Sequence, residues 1–245
     1  PMSEGRRRWL IVLLVALLGV GITLLAVWSD MRREQAALQE QFITDVTLIE
    51  NEITDAFTLY QYGLRGARGA VLVAGVDDIT KEQFATYSAS RDIATEFPGA
   101  RGFGFIRKVP LADEEEFLAA ARAAGQPDFE IKEIAPNTGD FRYVIQYIEP
   151  EADNAAAVGL DTASEPRRKA AADEASRTGE AIISAPITIL QATAQAQQSF
   201  LVFLPVYREG MPLTTPEERE AATAGWSYAP IVTDEVLDGI GVDQE

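Results

Sequence analysis

The hydrophobic pattern opens with residues 9–28 (WLIVLLVALLGVGITLLAVW), 20 consecutive positions without a charge. At 1.5 Å per residue a helix of that length spans about 30 Å, the thickness of a bilayer's hydrocarbon core. Trp9 and Trp28 stand at the two ends, where indole rings favour the membrane interface. Arg6, Arg7 and Arg8 precede the run and predict a cytoplasmic segment over residues 1–8, against Arg32 and Arg33 on the far side. The run exceeds a signal-peptide core, and no small-x-small cleavage pattern follows Trp28. The prediction is an uncleaved inner-membrane anchor over 9–28, with everything after Ser29 periplasmic or extracellular.

From residue 29 to residue 65 the pattern becomes amphipathic. Leu38, Phe42, Val46, Ile49, Ile53, Ala56 and Tyr60 recur at steps of three and four, the seam of a helix packing on another helix. This predicts a stalk, either paired in a parallel dimer or packed on its own domain, with room for both along different stretches. The periodicity breaks at Gly66 and Gly69. Helices are then predicted over 80–96 (Thr80 as N-cap, Gln83 completing a capping box), 111–124, and 164–177 with Ser164 as cap and Gly179 beyond its end. Strands are predicted over 101–109, 129–134, 141–148, 181–190, 200–207 and 225–232. Their irregular interleaving predicts an α+β fold rather than a doubly wound sheet.

Composition narrows the chemistry. The 245 residues hold 21 Lys plus Arg against 38 Asp plus Glu, a net charge of −17, and neither His nor Cys. An acidic chain without a basic face predicts no nucleic-acid partner. Without Cys or His there is no disulfide, thiolate nucleophile, Ser-His-Asp triad, imidazole metal site or phospho-accepting histidine. Glu114, Glu115 and Glu116 read as the acidic first turn of a helix, and no carboxylate spacing points to a glycosidase or a metal. The glycine-rich stretch from Gly99 to Gly104 leads into a strand, whereas phosphate loops lead into a helix. No catalytic residue, metal ligand or cofactor is predicted.

Ordered patches along 29–245 resemble the CHASE domain, the extracellular sensory module of bacterial sensor kinases and cyclases and of plant cytokinin receptors. They are Gln83-Phe84 with Phe97-Pro98-Gly99-Ala100-Arg101-Gly102-Phe103, and Tyr147-Ile148-Glu149-Pro150 with Asn154, Gly159 and Asp161. Arg168 with Thr178-Gly179 and Pro186 with Leu190 follow, then Leu204-Pro205-Val206-Tyr207, and last Glu217-Glu218-Arg219 with Ala224-Gly225-Trp226. The resemblance implies a membrane-distal PAS-like ligand-binding subdomain over 66–215 and the start of an incomplete membrane-proximal PAS-like subdomain over 216–245. It also implies a longer receptor, with a second membrane span and a histidine kinase, adenylate or guanylate cyclase, or diguanylate cyclase output, and no enzyme in the present chain.

The same resemblance implies a ligand site at Arg168, Leu190, Phe203, Trp226 and Ala229. Arg168 stands where cytokinin receptors hold an Asp against adenine, Leu190 where a leucine backbone also binds it, Phe203 at a pocket Thr and Trp226 at a pocket Tyr. Loss of the Asp and Thr implies a ligand other than cytokinin, because a buried purine would lose two polar partners. Arg167, Arg168 and Lys169 form the dense basic cluster outside the membrane flanks, and a helix N-terminus with an arginine fork suits a carboxylate or phosphate. A small molecule, with anions one candidate class, is therefore the expected partner, alongside the membrane and a second copy of the chain through the stalk. The blander alternatives are an Arg168 paired to Glu165 or Asp173 in a solvated turn, and Leu190, Phe203, Tyr207 and Trp226 as plain core. Two other function classes stay open: a tethered hydrolase using carboxylates alone, and a ligand-free interaction domain.

Overall fold

A computed structural model of the chain describes residues 4–190 and 196–239. They divide into two units, Pro1–Glu52 and Ile53–Glu245. The described part of the first is helical throughout and belongs to α1 (Glu4–Ala74). Leu14, Leu18, Leu24 and Leu25 are among its exposed apolar side chains, and the helix is long and apolar enough to cross a membrane. Leu38, Phe42 and Val46 are exposed as well.

In the second unit α1 continues past Gly63, Gly66 and Gly69, where the broken periodicity predicts an end. Gly63 and Gly66 are there for contact. A Cβ on Gly63 would stand 2.2 Å from Phe103 Cζ, and one on Gly66 would stand 2.4 Å from Tyr87 Oη. Close packing of the helix against its neighbours compensates their poor helix propensity. The helix ends at Gly75, whose φ of +92° lies in the left-handed region.

Then follow α2 (Lys81–Ala89), α3 (Ile93–Glu96), β1 (Phe103–Pro110), α4 (Glu114–Ala123), β2 (Phe141–Glu149), α5 (Glu151–Asn154) and α6 (Pro166–Thr178). The remainder is β3 (Ile182–Ile183), β4 (Ile187–Leu190), β5 (Ala196–Tyr207), α7 (Pro216–Ala222), β6 (Thr223–Val232) and α8 (Thr233–Gly239). The strands form one antiparallel sheet in the order β2-β1-β6-β5-β3, with β4 also on β5. Tyr60, Leu64, Ala67 and Val71 of α1 cover one face with Phe84 and Phe97. Ala171, Ala172 and Ala175 of α6 cover the other, over Tyr143, Phe203, Trp226 and Tyr228. The fold is α+β.

Several expectations change. The helix over 80–96 is two helices: Ser90 Oγ donates to Tyr87 O (2.6 Å), and Asp92 caps α3 by accepting from Thr95 N. The Thr80–Gln83 capping box is present. Segment 129–134 makes a single bridge, Lys132 to Leu160, instead of a strand, because Phe129 turns to Phe117 under α4. The strand over 181–190 is broken into β3 and β4 around Pro186, which has no N–H for a ladder. Glu165, not Ser164, caps α6: its carboxylate accepts from the N–H groups of Arg167 and Arg168. β6 lies between β1 and β5 in the middle of the sheet, and all ten of its residues are buried.

Candidate functional site

The three basic residues that open α6 take separate directions. Arg167 lies outside and donates Nη1 to Pro186 O (2.8 Å). Lys169 donates Nζ to Asp173 Oδ2 (2.6 Å), whose other oxygen accepts from Tyr143 Oη (2.6 Å). Arg168 turns inward and is 6% exposed. Its neighbour Glu165 is 3.9 Å from Nε, beyond hydrogen-bonding distance, and Nε has no hydrogen-bond partner. Burial pulls the Arg168 guanidinium below its ordinary pKa, while Glu165 and Tyr228 act the other way.

Tyr228 belongs to the same place, although the family resemblance does not single it out. It lies in β6 two positions beyond Trp226 and on the same face, is 1% exposed, and its hydroxyl also lacks a partner. Burial raises its pKa strongly, partly countered by the charge on Arg168. Gly104 makes the room: a Cβ there would stand 2.3 Å from Tyr228 Cε1. The glycine-rich stretch that ends at Gly104 is thus the bed of an aromatic ring. A tyrosine two residues after a tryptophan in an apolar strand is the signal that could have found it.

Phe203 pairs with Tyr228 across β5 and β6 and shares its cluster, and Trp226 donates Nε1 to Ala172 O (2.8 Å) and Ser176 Oγ (3.1 Å) of α6. Arg168, Phe203 and Trp226 therefore meet on the α6 side of the sheet. Ala229 does not join them. Strand alternation turns it to the α1 face, into the cluster that holds Leu64, Phe84 and Val202. Leu190 ends β4 opposite Ala196, and its side chain lies outside the described residues. The α6 N-terminus, expected as an anion site, is filled by the Glu165 carboxylate. An incoming acceptor would have to meet the Arg168 side chain instead.

A model of the CHASE domain family matches residues 77–245, from the turn after α1 onward. The chain belongs to the CHASE domain family. A comparison with curated proteins finds no match. CHASE domains are sensory, non-catalytic modules of signalling receptors. In this CHASE domain the matched region holds the whole sheet, α6 and the Arg168–Tyr228 pair. Among its described residues no group of three or more Asp, Glu, His or Cys is arranged to hold a metal.

Proposed function

We propose that the chain is the ligand-sensing part of a membrane-anchored receptor, binding a small molecule between α6 and the sheet at Arg168, Phe203, Trp226 and Tyr228. The observation that carries this reading is the buried Arg168, whose Nε has no hydrogen-bond partner, next to a Tyr228 hydroxyl in the same state. Leaving a buried polar atom unpaired costs about 1–3 kcal/mol, and more for a charged one, so a purely structural site would tend to shed it. A ligand acceptor such as a carboxylate would satisfy both donors. The anchor over 9–28 supports a periplasmic location for the sensory domain, and the α+β architecture suits a PAS-like sensor feeding a kinase or cyclase output.

Replacing Arg168 by Met separates this role from a structural one. Removing an incompletely paired buried charge should raise the unfolding free energy of the full chain in detergent by about 1–2 kcal/mol, because a well-packed apolar side chain replaces a charge that burial disfavours. A small-molecule library screened by thermal shift should give ligands whose stabilisation is lost in Arg168→Met and reduced in Tyr228→Phe. A less stable Arg168→Met protein, or ligands that protect both variants as well as wild type, would remove the assignment.

The exposed seam of α1 supports a dimeric stalk. Leu38, Phe42, Val46 and Ile53 stay exposed, whereas Tyr60 and Leu64, farther along, are buried against the sheet. A second copy of the chain is the natural cover for four apolar residues at heptad-like spacing. Ligand would then bias two packings of the paired helices, provided it binds one better than the other. Because the chain has no Cys, single cysteines report the pairing cleanly. Val46→Cys and Ile49→Cys should form intermolecular disulfides in membranes, and Thr44→Cys, on the opposite side of the helix, should not. Equal crosslinking at all three positions, or none, would argue against the seam.

A further inference from the structure

A cavity of about 390 Å³ lies on the side of the sheet away from α6, beside the turn that follows α1. Two arginines meet a single carboxylate there. Arg107 Nη1 donates to Asp77 Oδ1 (2.6 Å), and Arg208 Nη1 donates to Asp77 Oδ2 (2.6 Å). Arg107 is 8% exposed and is held in place from behind, with Nε donating to Gln146 Oε1 (2.9 Å). Gln146 in turn donates to Tyr147 Oη (3.0 Å), which donates to Ile79 O (3.0 Å). The arginine is rigid and deep. Its carboxylate partner is shallow: the Asp77 side chain is 62% exposed and sits in a short turn closed by the bonds of Asp78 N and Ile79 N to Gly75 O.

Burial raises the Asp77 pKa, but the hydrogen bonds and charges of Arg208 and Arg107 outweigh that and hold the carboxyl below its ordinary value. Asp77 is thus anionic near neutral pH and occupies two guanidinium groups from the solvent side. The rest of the cavity suits a small organic acid. Val109, Phe117, Ala120 and Ala121 supply an apolar wall from β1 and α4. Arg107 and Arg208 face Asp77, Asp78, Asp113 and Glu116, two cations against four carboxylates, while Lys108 is turned away, its Nζ donating to Glu220 O (2.9 Å). One carboxylate exchanged for Asp77 leaves that balance unchanged. A dianion would worsen it.

We propose that this cavity binds a small monocarboxylate, which displaces the Asp77 side chain from Arg107 and Arg208 and lays its apolar body against α4. Asp77 is a built-in competitor, tethered just beyond the end of α1. Exchange of the two carboxylates releases that turn from β1 and from the end of β5. The site is separate from Arg168, which lies on the α6 face, and it rests on the sensory reading only for its purpose.

Titration calorimetry of the full chain in detergent, with butyrate and benzoate as probes, tests the proposal. Asp77→Ala removes the competitor and should tighten binding at least ~10-fold over wild type. Asp77→Asn, which preserves the side-chain shape, should tighten it in the same direction. Adding Arg208→Gln, an exposed position whose loss leaves Gln146 paired, should reverse the gain. The gain from Asp77→Ala should persist in an Arg168→Met background, which separates failure of this site from failure of the α6 site. No saturable binding to either Asp77 variant up to ~10 mM probe, equal affinities for wild type and Asp77→Ala, or disappearance of the gain in the Arg168→Met background overturns the proposal. Inorganic phosphate binding more tightly than either probe overturns the ligand class.

Discussion

Replacing Asp161 by Ala is expected to lower the unfolding free energy by about 3–5 kcal/mol, the range for removing one partner of a buried charged network. Asp161 is fully buried at the start of the turn leading to α6. Its Oδ1 accepts from Tyr143 N (2.8 Å) and Ala163 N (3.0 Å), and its Oδ2 from Asn137 Nδ2 (2.7 Å), with Arg142 Nη1 at 3.5 Å. Alanine would strand two backbone donors and leave Arg142 to Glu114 and Glu133. Asp161→Asn keeps the shape but presents an N–H₂ group to donors, so a smaller loss of about 2–3 kcal/mol is expected. Urea unfolding of the full chain, followed by tryptophan fluorescence, measures both. A loss below about 1 kcal/mol for Asp161→Ala would mean that water replaces the carboxylate, and the network would not be what ties β2 to the start of α6.

Trp226→Ala should cost a similar amount, about 3–5 kcal/mol, by a different route. Trp226 is 0% exposed, packs at 4.4 Å between ring centroids on Tyr143, and anchors α6 through its indole N–H. Alanine leaves a cavity between α6 and the sheet and frees the Ala172 carbonyl. Trp226→Phe retains much of the apolar volume and loses the donor, for an expected cost of about 1–3 kcal/mol. Near-ultraviolet circular dichroism and denaturant midpoints distinguish the two. If both variants lose the same stability, the indole hydrogen bonds matter more than the volume. If Trp226→Phe is neutral, the helix is held by packing alone.

Local sequence is enough where the physics is local. The Thr80–Gln83 capping box, Gly179 as the left-handed end of α6 and the turn at Gly125 are all readable, because caps and turns depend on a few neighbouring residues. The Thr215–Glu218 box that starts α7 carries an equally local signal. Strands are harder to read. Those in the middle of the sheet are covered on both faces, so β6 is buried at every position and shows no alternation to betray which side each residue takes. The family resemblance puts Ala229 beside Trp226, although three positions along a strand put them on opposite faces.

An apolar run long enough to cross a membrane and the amphipathic pattern after it are legible in the chain alone, since bilayer thickness and helix periodicity act on contiguous residues. So is the absence of imidazole and thiol chemistry, which is a matter of composition. Which of three adjacent cations turns inward is not, because Arg167, Arg168 and Lys169 are equivalent until α6 docks on the sheet and buries one of them. Nor is the union of Asp77, Arg107 and Arg208, brought from the turn after α1, the middle of β1 and the residue after β5. Long-range pairing selects those neighbours, and no short window of sequence contains them.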